Sequence, residues 1–133
     1  MALAAERDLV ARQYARGFRE VFDEGLPALL RAARAGAGTE RAIIACQLHL
    51  LARHPDSLIA RKRGLDEALE ASRRASQVCG WEQGLGDWSE LETFDAWLRQ
   101  GGHARNPGTT ADLVAACLFA ALREGWLTPR WQR

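Results

Sequence analysis

The sequence predicts an all-α fold, a single compact bundle of about five to six helices spanning residues 1–133, and three observations carry that reading. Strand formers (Val, Ile, Thr, Tyr) are sparse, and no Asn-Gly or Asp-Gly turn joins alternating runs. Alanine, leucine, arginine and glutamate dominate, and all four favour helix. Apolar residues recur at helical spacing, as in Leu91, Phe94, Trp97 and Leu98.

The elements follow in chain order. A first helix is expected from near Leu3 to Phe22, with Leu9, Gln13 and Arg16-Gly17 giving it a mixed, partly exposed surface. Gly25-Leu26-Pro27 should break it, and Pro27 suits the first turn of a second helix reaching about Ala35. After the Gly36-Ala37-Gly38 linker, Thr39 is placed to cap a third helix through about Arg53. That helix is apolar on almost every side (Ile43, Ile44, Ala45, Cys46, Leu48, Leu50, Leu51), so it belongs at the centre of the bundle. Pro55 ends it. Asp56 and Ser57 are both good caps for a fourth segment that pauses at Gly64 and continues to about Val78. Gly80 to Asp87 reads as a loop anchored by Trp81 and Trp88. Ser89 or Asp87 starts the next helix, and Gly101-Gly102 stops it. The last helix runs from about Thr110 to Arg123, with Leu113, Val114, Cys117, Leu118, Ala121 and Leu122 on one broad apolar face.

Composition narrows the function classes. With 47% apolar and 26% charged residues the chain has an ordinary globular profile. A net charge of +1 gives no global field for nucleic acid or an anionic membrane, so neither partner is expected and any anion site must be local. There is no window of 18 apolar residues, and Met1 is not followed by a secretory signal's apolar core, so a soluble cytoplasmic protein is expected. Cys46, Cys79 and Cys117 fit neither a disulfide framework nor a zinc knuckle, and buried reduced thiols are the simplest reading. His49 among leucines reads as a satisfied core histidine, and Trp97 as core. Trp126 and Trp131 in the tail could cover a neighbouring surface or a partner.

Two connections join buried helices yet are rich in polar residues. The first runs from Arg53 to Gly64. Its three consecutive cations, Arg61, Lys62 and Arg63, repel each other unless solvated or neutralised by an anion. Lys62 is the only lysine beside seventeen arginines. A solvated basic edge is the plain alternative to a phosphate site, and a helix cap is the plain alternative to a metal-binding or hydroxyl-binding role for Asp56. The second connection runs from Gly101 to Asp112. A glycine-containing loop there enters a helix start that offers free N–H groups, with Thr109 and Thr110 at its mouth and His103 and Arg105 beside it. These are parts of a phosphate site, although Thr109 with Asp112 also reads as a capping-box variant. The spacing of a Walker phosphate loop is absent.

At these two connections the chain resembles a known family. Leu48 to Ser57, followed by a basic pair and Gly64, looks like that family's Asp-Thr/Ser segment with its basic-glycine end. Asn106-Pro107-Gly108-Thr109-Thr110-Ala111-Asp112-Leu113 looks like its Ser/Asn-Pro-Gly-x-Ser/Thr-Ala-Asp-Leu motif, and Gly17-Phe18 with Gly25-Leu26-Pro27 also fits. The family is the triphosphoribosyl-dephospho-CoA synthases of the citrate lyase and malonate decarboxylase systems. The resemblance implies an all-helical transferase that condenses ATP with 3′-dephospho-CoA, releases adenine and makes the precursor of an acyl carrier protein's prosthetic group. Much of the family has His-Arg-Gly-Gly where this chain has Arg61-Lys62-Arg63-Gly64, so no histidine role carries over there. That divergent version is associated with homologues including ones near tetrahydromethanopterin genes, and a related transferase of that metabolism is one alternative. The resemblance covers only the C-terminal half of a family member, so the chain is expected to be a fragment or to have its other half on a separate polypeptide.

On this reading Asp56 is the expected catalytic carboxylate, binding Mg²⁺ or the attacking ribose. Ser57, Arg61, Lys62, His103, Arg105, Asn106, Gly108, Thr109, Thr110 and Asp112 are the expected substrate-binding residues, with Asp112 either a cap or a supporting group. Expected partners are the two nucleotides, together with either a homo-oligomer or the missing N-terminal half. The alternative from another class is a non-catalytic helical partner module of a split enzyme.

Overall fold

Six α-helices stand among the residues described by the computed structural model, 19–128, and no strand does. The part of the first expected helix before residue 19, including Leu9, Gln13 and Arg16-Gly17, lies outside the described residues, as does Trp131.

The expected break at Gly25-Leu26-Pro27 is absent. A π-helical turn, Glu20–Gly25, runs directly into α1 (Leu26–Arg34), with Gly25 itself helical at φ −66°. Proline normally breaks a helix because it lacks an N–H and its ring meets the carbonyl four residues back. Here it falls in the first turn of α1, directly after the wider π turn, where Leu26 N–H donates to Val21 O five residues back. Gly25 has a packing role. A Cβ there would sit 2.5 Å from Cys117 Sγ and 3.0 Å from Leu50 Cδ1, so only glycine lets this turn approach both neighbouring helices.

Next come α2 (Gly38–Arg53), α3 (Ser57–Arg63), α4 (Leu65–Ser76), a single 3-10 turn (Trp81–Gln83), α5 (Trp88–Arg99) and α6 (Gly108–Arg123). Helix α2 is the central one, as its all-round apolar sequence requires. It buries Ala42, Ala45, Cys46, Leu48, Leu50 and Leu51 and touches α1, α4, α6 and the π turn. Thr39 does not cap it: the helix already starts at Gly38, and no side chain caps that end. Gly64, at φ +97°, separates α3 from α4, a backbone state that side chains avoid. Asp87 caps α5, accepting from Ser89 N–H at 2.9 Å. Helix α6 ends in a Schellman motif: Gly125 at φ +74° donates to Leu122 O, and Trp126 N–H reaches Ala121 O at 2.9 Å.

Trp81 and Trp88 anchor the Gly80–Asp87 loop as expected. Their rings meet edge-on at 5.1 Å, Arg41 lies over both, and its guanidinium holds Gly86 O at 2.9 Å. A side chain at Gly86 would collide with the Trp81 ring. The thiols divide: Cys46 and Cys117 are buried, whereas Cys79 is exposed, against the expectation. Cys46 donates to Gly25 O, and its contact with Cys117 together with burial pushes its thiol up, so it is an inert packing group. No helix of the described residues is long and apolar enough to cross a membrane.

Candidate functional site

The two polar connections meet. Asp56 is the N-cap of α3, and its Oδ1 accepts from the N–H groups of Leu58 (2.9 Å) and Ile59 (3.1 Å). Its other oxygen leaves the local chain altogether. Oδ2 accepts from Thr110 N–H at 2.7 Å and Thr110 O–H at 2.8 Å, inside the first turn of α6. One carboxylate therefore caps two helix N-termini, and the positive ends of both dipoles favour its charge. The contact is fully interior, with Asp56 and Thr110 each 0% exposed. Beside it the Ser57 and Thr109 hydroxyls bond at 2.9 Å.

This geometry revises several expectations. The anion at the start of α6 is Asp56 itself, and the N–H of Gly108 is likewise used, by Asn106 O at 2.8 Å. Thr109 and Thr110 are buried, and their hydroxyls join the two loops through Ser57 and Asp56. The capping-box reading fails too: the N-cap position is Pro107, whose own side chain makes no capping bond, and Asp112 is exposed. Pro107, at φ −80° and ψ 66°, forms an inverse γ-turn that swings the loop into the helix. Gly108 is needed for close approach, since a Cβ would lie 2.7 Å from Leu58 Cδ2.

Asp56 does not fit a Mg²⁺ site. Both oxygens already accept two hydrogen bonds each, and the carboxylate has no exposed surface. Nor is there, among the described residues, a group of three or more His, Cys, Asp or Glu placed to hold a metal ion.

A second link joins the connections at the surface. Glu67 Oε1 accepts from Arg63 (2.9 Å) on one side and from Arg105 Nε (2.8 Å) on the other. Arg105 also reaches Trp97 O at 3.1 Å and Gln100 Oε1 at 3.2 Å, and its guanidinium lies 4.1 Å from the centre of the Trp97 ring. Arg105 is thus a structural clamp, and Trp97 is buried as expected. The Arg105 bond first and the Arg63 bond second hold the Glu67 carboxyl below its ordinary range. Arg61 and Lys62 in the first connection, and His103 and Asn106 in the second, are exposed. The three cations in the last turn of α3 also suit the negative end of its dipole, which is their plain structural role.

Several groups carry no local signal in the sequence. His49 is nearly buried but pairs with Glu82 at 2.8 Å, and Arg31 holds the other oxygen of the same carboxylate. Burial pushes Glu82 up, but Arg31 and His49 outweigh it and hold the group low. His54 pairs with Glu24 at 2.9 Å, and Glu20 is buried in the π turn. Each pairing spans 30 residues or more, beyond any spacing rule. A recess of about 970 Å³ lies beside Arg34, Thr39, Trp88 and Trp126. Another of about 460 Å³ is lined by His49, Arg53, Cys79 and Glu82. Neither is lined by Asp56, Thr109 or Thr110.

Comparison with known proteins bears on the same residues. Residues 1–130 match the family described as ATP:dephospho-CoA triphosphoribosyl transferase. A relative from Stutzerimonas stutzeri (strain A1501), named probable 2-(5''-triphosphoribosyl)-3'-dephosphocoenzyme-A synthase, is 32% identical over 114 residues, 84% of this chain and 39% of the relative. Identically named relatives behave alike. One from Pseudomonas paraeruginosa is 32% identical over 82% of the chain and 38% of its own length. One from Pseudomonas aeruginosa is 32% identical over 87% of the chain and 41% of its own length. The chain thus spans about two fifths of the curated relatives it matches. No solved structure matches it.

Proposed function

We propose, from the premise that the chain belongs to the ATP:dephospho-CoA triphosphoribosyl transferase family, that it forms one part of an enzyme that transfers the triphosphoribosyl group of ATP to 3′-dephospho-CoA with loss of adenine. In that reaction a ribose hydroxyl of the acceptor attacks the anomeric carbon of ATP. A C–O bond forms there, the bond to adenine breaks, the hydroxyl proton goes to a base, and one proton is returned to the departing ring nitrogen, so adenine leaves neutral and no net proton is gained or lost. The transition state resembles an oxocarbenium ion, so the protein's work is positioning and charge stabilisation.

The observation that supports this part in particular is the Asp56–Thr110 lock, which brings the two motif-bearing segments together. On this reading Asp56, Ser57, Thr109 and Thr110 are positioning residues. They fix the frame from which Arg61 and Lys62 on one side, and His103 and Asn106 on the other, face the phosphates of the nucleotides. No step is assigned to Mg²⁺ at Asp56. The ribose-activating base comes from another part of the enzyme, either a second copy or the portion of the relatives that this chain does not span.

Adenine release tests the proposal. The purified chain is incubated with ATP and 3′-dephospho-CoA, alone and with the unmatched portion of the Stutzerimonas stutzeri relative supplied separately. Adenine should appear only in the second mixture. If the chain adds nothing to that mixture and binds neither nucleotide in calorimetry, the second reading prevails, a non-catalytic helical module of a split enzyme.

A further inference from the structure

Helix α6 has only two charged residues in sixteen, Asp112 and Arg123. Leu113, Val114, Cys117 and Ala121 point into the core, yet the opposite side is apolar as well: Phe119 is 64% exposed, Leu122 is 36% exposed, and Ala111 and Ala115 are exposed. A helix apolar all round belongs inside a protein. At about 100° per residue, Ala111, Ala115, Phe119 and Leu122 fall within an arc of about 80°, and Asp112 and Arg123 lie together along one edge of it.

We propose that this face of α6 docks against the same face of a second copy, antiparallel, about a two-fold axis. The pattern is self-complementary in size. The small residues Ala111 and Ala115 occupy the N-terminal half and the large Phe119 and Leu122 the C-terminal half, so reversal sets each large side chain over the partner's small ones. It is also self-complementary in charge. A two-fold axis near the middle of the helix brings Asp112 opposite the partner's Arg123, twice, on the same edge. This deepens the self-association side of the functional reading and needs nothing from its nucleotide chemistry.

The test is the mass of the full 133-residue chain by sedimentation equilibrium across a concentration series. The mass should rise from 14.7 kDa toward twice that value. Phe119→Glu should weaken the dimer at least about tenfold, as removal of a central aromatic anchor does, and leave the melting curve unchanged at concentrations where both proteins are monomeric, because Phe119 is exposed in the single chain. Leu85→Glu, at an exposed leucine in the Trp81 loop, should leave the dimer intact. Asp112→Arg should weaken it, and Asp112→Arg with Arg123→Asp should restore it, which only a face that meets itself can do. A monomer at every concentration, a dimer indifferent to Phe119→Glu, or a double reversal that fails to restore each overturns the proposal. So does a monomeric chain whose α6 face instead captures the unmatched portion of a relative and releases it on Phe119→Glu. These readouts use no nucleotide, so their failure leaves the transferase reading standing, and the reverse also holds.

Discussion

Asp56 and Thr110 are 54 positions apart and are joined twice, through the backbone N–H and the hydroxyl of the threonine, to the same carboxylate oxygen. The other oxygen of that carboxylate starts its own helix. The start of α3 and the start of α6 therefore stand or fall together.

Asp56→Ala should cost about 3–5 kcal/mol, since it removes two helix caps and leaves the Thr110 hydroxyl buried without a partner. Thr110→Val keeps the shape and the N–H bond and should cost about 1–2 kcal/mol. The double variant should be less destabilised than the sum, with a coupling of about 1–3 kcal/mol in a denaturant-unfolding cycle. Additive effects would show that the two side chains do not act as one lock.

Much of this frame was legible in the sequence. The end of α2 at Arg53, the pause at Gly64, the Asp56 cap and the loop anchored by Trp81 and Trp88 all follow from local chemistry. Sequence and structure part where a local pattern imitates what a distant group supplies. Thr109 and Asp112 have the spacing of a capping box, but the cap of that helix arrives from Asp56. Gly25 and Pro27 read as a break, but the glycine serves the approach of Cys117 and Leu50. Arg105 has the type and place of a phosphate ligand, yet Glu67 and Trp97, neither adjacent in sequence, claim its guanidinium.

Gly25→Ala tests the packing account. The added methyl would meet Cys117 Sγ and Leu50, both in the core, so neither can move aside freely. Overpacking of this kind should destabilise by about 1–3 kcal/mol, although alanine is otherwise the better helix former. Gly25→Ala combined with Cys117→Ala should recover part of that stability. A stabilised single variant, measured by thermal melting, would mean that the turn is not tightly held.

Glu67 gives the surface link a pH signature. Its folded carboxyl lies below its ordinary value of 4.5, mainly because Arg105 and then Arg63 donate to it. The unfolded chain therefore takes up the proton first as the solution is acidified. The contribution to stability is complete above that ordinary value and disappears as pH falls through the lowered folded one. Glu67→Gln should flatten the stability profile in this acidic window and leave its shape near neutrality unchanged. An identical acid profile for both proteins, followed by chemical denaturation, would remove Glu67 from the link.

Four basic residues of the two connections should separate into two kinds. Arg105 is largely buried at its side chain, holds three polar partners and covers Trp97, so Arg105→Ala should lower stability by about 1–3 kcal/mol. Arg63 is bound to Glu67 across the Gly64 break between α3 and α4, an exposed pair of small value, and Arg63→Ala should change the melt only slightly. Arg61 and Lys62 are exposed, so replacing both with Ala should leave the melting temperature nearly unchanged. If these two hold phosphates, as proposed, the same double variant should weaken ATP or dephospho-CoA binding by about 1.5–3 kcal/mol for each charge-assisted hydrogen bond it removes, a tenfold effect or more. Arg105→Ala supplies the internal comparison, since its effect on binding should track its effect on folding. Calorimetric titration of the three proteins with each nucleotide decides the matter. Wild-type binding by the Arg61 and Lys62 double variant would return that cluster to a solvated edge fitted to the end of α3.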